Sequence, residues 1–201
     1  MTKRAAISKR GYDDSWPPVR GDYVVGDPMC GVAVVTLASS LFVRGAAITG
    51  PCKTENLGVE KIIANVVSNC NIRFLIICGA ESKGHLPGDT ILALHQNGVD
   101  PQGRIVGSRG AIPFIQNLPF EAVRRFQEQV ELVDCIGLED KDAIEALIVK
   151  YQDLARPFPG MPFQAVRKAS PRPVLPVGDG DLFLGSGVVA DTMAWLALSE
   201  D

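Results

Sequence analysis

The sequence predicts a layered α/β fold, a mainly parallel sheet flanked by helices, followed by an irregular Pro-rich C-terminal extension. Three observations lead there. Short apolar runs alternate along the chain with segments of helical period, the pattern of strands joined by crossover helices. The helical segments carry their own start and stop residues. Beyond residue 151 the composition changes, and six of the fourteen prolines lie between Pro157 and Pro176.

Taken in order, residues 1–30 read as irregular, with Trp16-Pro17-Pro18 and Asp27-Pro28 as turn or extended signals. A strand follows at Val32–Leu37 and a short one near Ala46–Thr49. Asn56 to Asn69 forms an amphipathic helix, because Val59, Ile62, Ile63, Val66 and Val67 fall on one stripe. Arg73 to Cys78 is the next strand, built on the run Phe74-Leu-Ile-Ile-Cys78. Pro87 at the first helical position opens a helix to Gln96, which Asn97-Gly98 closes.

Arg104–Val106 reads as another short strand, leading into the loop Gly107-Ser-Arg-Gly110-Ala-Ile-Pro113-Phe114. Pro119 then opens a helix expected to turn Phe120, Val123, Phe126 and Val130 inward. Glu131–Ile136 is a strand, and Glu139 to Tyr151 a helix with the stripe Ile144, Leu147, Ile148 and Tyr151. Acidic residues in its first turn and Lys150 in its last match the helix macrodipole. The prolines after Pro157 read as a wrapping arm, Asp179-Gly180 as a hairpin turn, and the last fifteen residues as a short strand or helix.

Composition narrows the function classes. A chain of 201 residues with 46% apolar content and net charge −3 is long enough for one buried core. It carries no basic field for nucleic acid or anionic lipid. Mean hydropathy is +0.13, and no apolar stretch approaches the ~20 residues of a membrane helix. The chain is expected to be cytoplasmic, without a membrane span. Cys30, Cys52, Cys70, Cys78 and Cys135 are odd in number and lack Cys-x-x-Cys spacing, so neither a disulfide framework nor a zinc site is expected.

His85 is the candidate ligand residue. It stands in a glycine-broken loop between strand and helix, the edge of a parallel sheet where ligands bind. Gly79, Gly84 and Gly88 remove side-chain bulk around it, so that a flat or bulky ligand can approach the backbone. The competing reading is an ordinary surface histidine. His95 is read as a solvated or capping histidine, and Asp140, Asp142 and Glu145 as a solvated helix face. The loops Cys52–Asn56 and Gly107–Gly110 border helices and are candidates for polar groups of a ligand. No Gly-x-x-x-x-Gly-Lys-Ser/Thr, Gly-x-Gly-x-x-Gly or Gly-x-Ser-x-Gly occurs, so nucleotide binding has no motif support and the hydrolase elbow is absent.

The run Gly79-Ala-Glu-Ser-Lys-Gly84-His85-Leu-Pro-Gly88, with Leu92 and Asn97-Gly98-Val99 after it, resembles the A subunit of tetrahydromethanopterin S-methyltransferase. Trp16-Pro17, Gly21-Asp-Tyr-Val-Val-Gly26 and Gly50-Pro51-Cys52-Lys53-Thr54-Glu55-Asn56-Leu57-Gly58 add to it, and the resemblance spans roughly residues 15–160. It implies a Rossmann-like domain over residues 1–160 that binds a cobamide, cobalamin or 5-hydroxybenzimidazolylcobamide, with an extension over 161–201. The residue matching the family's axial cobalt ligand is His85.

The resemblance further implies a methyl carrier. Cobalt as Co(I) takes a methyl group from a tetrahydromethanopterin-type donor and, as methyl-Co(III), passes it to a thiol such as coenzyme M. The partners would be a pterin-side methyltransferase subunit and a thiol-side methyltransferase. Gly84, Leu86, Pro87, Thr54, Glu55, Asn56, Ser108, Gly110, Ile112, Pro113 and Phe114 are candidate cofactor contacts, because small or polar loops at strand ends can surround a large planar ring. Many corrinoid carriers use Asp-x-His-x-x-Gly; here Lys83 stands where the aspartate would be, so no carboxylate is placed by sequence to orient the imidazole. Such subunits usually end in a membrane helix, which this sequence does not show. Either the anchor was cut away or, as the Pro-rich tail favours, the chain is a soluble relative serving another methyl donor or acceptor. Two rivals remain: a small-molecule or nucleotide-binding regulatory domain without chemistry, and an assembly subunit that docks through its Pro-rich tail.

Overall fold

The strand at the centre of the sheet is made of residues that water would not tolerate on either face. In the computed structural model, which describes residues 11–165 and the backbone of three later strands, β2 (Val32–Val35) has all four residues buried. β4 (Phe74–Gly79) has all six buried. Such continuous apolar runs belong to parallel strands covered on both faces. The remaining strands are β1 (Val24–Val25), β3 (Ile48–Gly50) and β5 (Glu131–Ile136). Their spatial order is β1-β3-β2-β4-β5. β1 runs antiparallel to β3, and the other pairs are parallel, with Val34 opposite Ile76 and Ile76 opposite Val133. The expected α/β architecture with a mainly parallel sheet is therefore present.

Four helices cover the sheet: α1 (Leu57–Val67), α2 (Pro87–Asn97), α3 (Phe120–Gln129) and α4 (Lys141–Leu154). The α1 stripe buries Val59, Ile63, Val66 and Val67. α1, α2 and α3 pack on one another, while α4 packs on β2 and β4 through Ile144 and Ile148. Pro87 occupies the first turn of α2 and Gly98 ends it with φ +71°, a value that suits glycine. Asp140 caps α4 by accepting the Ala143 N–H, so it does more than solvate a helix face.

Three expectations are corrected. Arg104–Val106 is not a strand: it makes only single bridges, Val99 to Ile105 and Arg104 to Phe114, because the chain around it turns too tightly to run a ladder. Phe120 does not point inward; it is 49% exposed in the first turn of α3, whose buried face runs through Ala122, Val123, Phe126 and Gln129. The N-terminal 30 residues are not wholly irregular, since Val24–Val25 extend the sheet. Residues Met1–Val166 and Arg167–Asp201 form two compact units. In the second, β6 (Leu182–Phe183), β7 (Val188–Asp191) and β8 (Leu196–Ser199) form an antiparallel sheet. The Asp179-Gly180 turn lies outside the described residues, as does the proline run from 166 onward.

Candidate functional site

β3 and β4 lie on either side of β2, and the loops leaving their carboxyl ends bring an imidazole and a carboxylate together. His85 rides on the loop from β4 to α2. Gly79 (φ +82°) and Gly84 (φ +81°) turn that loop, and Ser82 O accepts the amides of both His85 and Leu86. Leu86 adopts φ +46°, ψ 54°, a left-handed conformation that residues with side chains seldom take. Pro87 follows with its fixed φ, so the backbone around His85 is held rather than free.

Glu55 comes from the loop between β3 and α1. Its Oε2 lies 2.7 Å from His85 Nδ1, and its Oε1 accepts the Ile112 N–H at 2.7 Å. The Glu55 side chain is 1% exposed and that of His85 51%. A carboxylate only accepts, so Nδ1 carries the proton and donates it, leaving a lone pair on Nε2. Nε2 has no hydrogen-bond partner among the described residues. Burial works to raise the Glu55 carboxyl. Hydrogen bonds from the Glu55 and Ile112 amides, then from His85, outweigh it, so the group stays ionised below the usual carboxylate range.

The loop from residue 107 to 115 closes the third side, pinned at three points. Arg109 gives its backbone N–H and its guanidinium to Asp89 on α2, the closest contact at 2.7 Å. Ser108 Oγ meets Thr90 Oγ1 at 2.7 Å, and Ile112 is held by Glu55. Gly110 sits where a Cβ would come within 2.7 Å of His85 O and 2.9 Å of the Glu55 side chain. Further on, buried Glu60 accepts the amides of Gln116 and Asn117 and the Asn117 side chain. At the start of α2, Glu81 takes the Gly88 and Asp89 amides at 3.1 and 2.8 Å. That helix end is therefore satisfied by the chain itself.

The family model for the A subunit of tetrahydromethanopterin S-methyltransferase matches residues 9–158, a span that holds His85, Glu55 and all three loops. The chain belongs to this family. It is a methyltransferase subunit. In Methanothermobacter thermautotrophicus, the tetrahydromethanopterin S-methyltransferase A 1 subunit is 56% identical over 147 residues, covering 71% of this chain and 62% of that one. The A 2 subunit of the same organism is 54% identical over 147 residues, with 71% and 80% covered. A Methanosarcina acetivorans protein, named as the A subunit of "Putative methyltransferase Mtx", is 52% identical over 184 residues, covering 90% of this chain and 93% of its own. A match to 90% of the chain must run past Val166 into the second unit.

Of the residues singled out from sequence, His85, Glu55, Gly110 and Ile112 come together in this family member, with Gly84 and Leu86 beside the histidine. Ile112 is 59% exposed. Thr54 Oγ1 accepts the Gly58 N–H and Asn56 caps α1, so both serve the helix start. Pro87 is buried in α2, and Ser108 ties the third loop to Thr90. Pro113 is buried with its carbonyl accepting the Ile105 N–H, and Phe114 stacks under the Arg104 guanidinium at 5.5 Å.

A carboxylate that spacing does not place orients the imidazole. Glu55, thirty positions upstream, makes the contact that Lys83 does not, because the fold joins two loops far apart in sequence. Glu81, Asp89, Arg109 and Glu60 went unnoticed as positioning residues. Acidic residues next to Pro87 at a helix start were the available signal. Among the described residues no group of three or more His, Cys, Asp and Glu could hold a metal ion, and no helix is long and apolar enough to cross a membrane.

Proposed function

We propose that this chain is the corrinoid-binding methyl carrier of its methyltransferase, with His85 Nε2 as the protein's donor to cobalt. The observation that carries the reading is the His85–Glu55 pair: a half-exposed imidazole whose inner nitrogen is held by a buried carboxylate. That arrangement fixes the tautomer and the orientation of the ring and aims the outer lone pair away from its partner, as in histidines that bind metals. The donor set fits a metal that arrives within a macrocycle, since one imidazole stands there without further ligands among the described residues. When bound, the cobamide would supply a cobalt able to accept and release a methyl group.

The residues of this chain then have separable roles. His85 donates, Glu55 holds its proton at Nδ1, and Ile112 ties that carboxylate to the 107–115 loop. Gly84 and Gly110 leave space at the loop surface, while exposed Leu57 and Ile112 offer apolar area to a broad ring. No acid–base pair among the described residues would drive the transfer alone. The partners are a pterin-side methyltransferase subunit, bringing the methyl group from a tetrahydromethanopterin-type donor, and a thiol-side methyltransferase passing it to a thiol such as coenzyme M. The near full-length match to the Methanosarcina acetivorans relative favours a second reading, the same carrier serving another donor or acceptor.

The test is an absorption spectrum of the purified protein reconstituted with cobalamin, wild type beside His85→Ala. A bound corrinoid whose oxidised spectrum differs between the two is the expected result. Corrinoid retained by neither protein, reduced or oxidised, would overturn the carrier and favour a regulatory domain that binds some other small molecule.

A further inference from the structure

The five cysteines are not placed alike. The buried thiols of Cys30, Cys52 and Cys70 each meet an oxygen: Gln152 Oε1 at 3.1 Å, Thr54 O at 3.5 Å and Gly160 O at 3.7 Å. Cys78 and Cys135 have no hydrogen-bond partner among the described residues. They stand directly opposite one another as Cα partners on β4 and β5. Adjacent strands run about 4.8 Å apart, inside the roughly 4.4–6.8 Å that a disulfide leaves between Cα atoms. Partners on a ladder share a face, here the one on which Phe74 meets the Tyr151 ring of α4 at 4.9 Å.

Access to the two thiols is unequal. Cys78 is 0% exposed, whereas Cys135 is half-buried on β5, the last strand of the five. A small reagent therefore meets Cys135 first, and Cys78 acts on what Cys135 has bound. Burial pushes both thiols up, Cys78 to about 12 with Cys135 as its second cause, and Asp134 adds to the rise at Cys135. Thiolate is scarce at neutral pH in consequence, and exchange quickens as pH rises.

The pair also sits at the root of the His85 loop. Cys78 precedes Gly79, whose φ of +82° starts that loop. Gly79 N–H donates to Leu138 O at 2.7 Å, and Gly79 O accepts the Gly137 N–H at 2.8 Å. A Cβ on Gly79 would lie 2.3 Å from Thr36 O, so the turn is packed without slack. From a strand spacing of about 4.8 Å, the two Cβ atoms must close to about 3.8 Å for a bond to form. That movement pulls β5 toward β4 where the loop begins. A disulfide under such strain is easily reduced again.

We propose that Cys78 and Cys135 form a reversible disulfide, made by exchange with a small organic disulfide, and that closing it loosens the His85 loop. The Cys135 thiolate attacks one sulfur of the small disulfide, giving a mixed disulfide and expelling one small thiolate. The Cys78 thiolate then attacks Cys135 Sγ, forming the Cys78–Cys135 bond and expelling the second. The two protons lost by the cysteines end on the two small thiols. Two cysteine thiols are thus oxidised while one small disulfide is reduced.

The full chain is incubated with hydroxyethyl disulfide at neutral and at mildly alkaline pH, then unfolded in N-ethylmaleimide and read by peptide mass spectrometry. The expected product joins the Cys78 and Cys135 peptides, two hydrogens lighter than the free pair. It should form faster at the higher pH and be undone by dithiothreitol. Cys30, Cys52 and Cys70 should carry maleimide, and Cys78→Ser should stop at the mixed disulfide on Cys135. Wild type with maleimide on both cysteines of the pair, or with the mixed disulfide beside free Cys78, overturns the disulfide. So does equal oxidation of all five, which would report unfolding. The loop is read by trypsin cleavage after Lys83, which is exposed within it. Cleavage several-fold faster in the oxidised wild type, and unchanged by the same treatment of Cys78→Ser, supports the loosening. Equal rates in oxidised and reduced wild type overturn it. Neither readout requires a bound corrinoid, so the carrier reading stands or falls separately.

Discussion

The two histidines flank the same helix and do opposite things. His85, just before α2, gives its Nδ1–H to buried Glu55 and keeps Nε2 unpartnered among the described residues, with half the side chain in solvent. His95, in the last turn, gives its Nε2–H to Val130 O at 2.7 Å and sets its ring edge-on to Phe126 at 5.8 Å. The partner fixes the tautomer in each case: a carboxylate on one side of the ring, a backbone carbonyl on the other. The difference extends to the two edges of the sheet. At the amino end, Gln129 is buried with its amide against the carbonyls of Val66, Asn69 and Ile72, and Arg73 clamps Gln129 O and Arg156 O. No buried side-chain nitrogen or oxygen is left unpaired there among the described residues. At the carboxyl end two polar atoms stand without a hydrogen-bond partner among the described residues, half-exposed His85 Nε2 and buried Thr36 Oγ1 just after β2. The proposed function sits where the pairing stops, not where polar residues are most numerous.

The contrast breaks most completely at the imidazole itself. On the carrier reading, His85→Ala should abolish the imidazole's contribution to the spectrum of bound cobalamin and weaken binding more than any other variant. Its melting temperature should fall by a few degrees, since Glu55 Oε2, on a side chain 1% exposed, loses its partner. Glu55→Gln should cost about 10–100-fold in corrinoid affinity, the usual penalty for losing the partner of a metal-bound histidine. This variant also carries a pH signature. The Glu55 carboxyl lies below its ordinary range in the folded protein, so its stabilisation is fully present above the unfolded value. It is lost as pH falls through the folded one. Melting curves from pH 7 downward should therefore show the wild type losing its margin over Glu55→Gln below the usual carboxylate range; parallel curves would remove Glu55 from the account.

Gly110→Ala should act more mildly and by geometry alone. Its Cβ would press on His85 O and on the Glu55 side chain, pushing the 107–115 loop outward. We expect a several-fold loss of corrinoid affinity, measured by the same titration, together with a lower melting temperature, because the clash is with backbone and with the buried stem of Glu55. Affinity equal to wild type would mean that the loop does not frame the ligand.

Much of the frame was legible because it follows local rules. The apolar runs of β2 and β4, the α1 stripe and the Pro87–Gly98 limits of α2 need only periodicity and turn chemistry to be read. His85 was legible for the same reason, as a polar residue among glycines at a strand end. Its partner was not. A motif reading looks for the carboxylate two positions before the histidine and finds Lys83, whereas the contact forms across thirty residues when the loops after β3 and β4 converge. Spacing cannot encode a pairing that depends on strand order. The burial of Glu60 and the pinning of Arg109 by Asp89 were hidden likewise, since both are contacts between elements. Phe120 misled in the reverse sense: it fits the α3 spacing, but the face that α3 buries runs through Ala122, Val123, Phe126 and Gln129.

The smallest effect is the sharpest test of the comparison. His95→Leu removes the donor to Val130 O and the edge-on contact with Phe126 while keeping apolar bulk in place. Val130 is 2% exposed, so its carbonyl is left without that partner in a dry setting. The loss should be about 1–2 kcal/mol, which lowers the melting temperature of a domain this size by a few degrees. Corrinoid affinity and spectrum should stay those of the wild type, because no bond runs from His95 to the loops that hold His85. If His95→Leu instead shifted the cobalamin spectrum as His85→Ala does, the imidazole on cobalt could no longer be assigned to the carboxyl edge. The division of labour between the two ends of α2 would then fail together with the assignment.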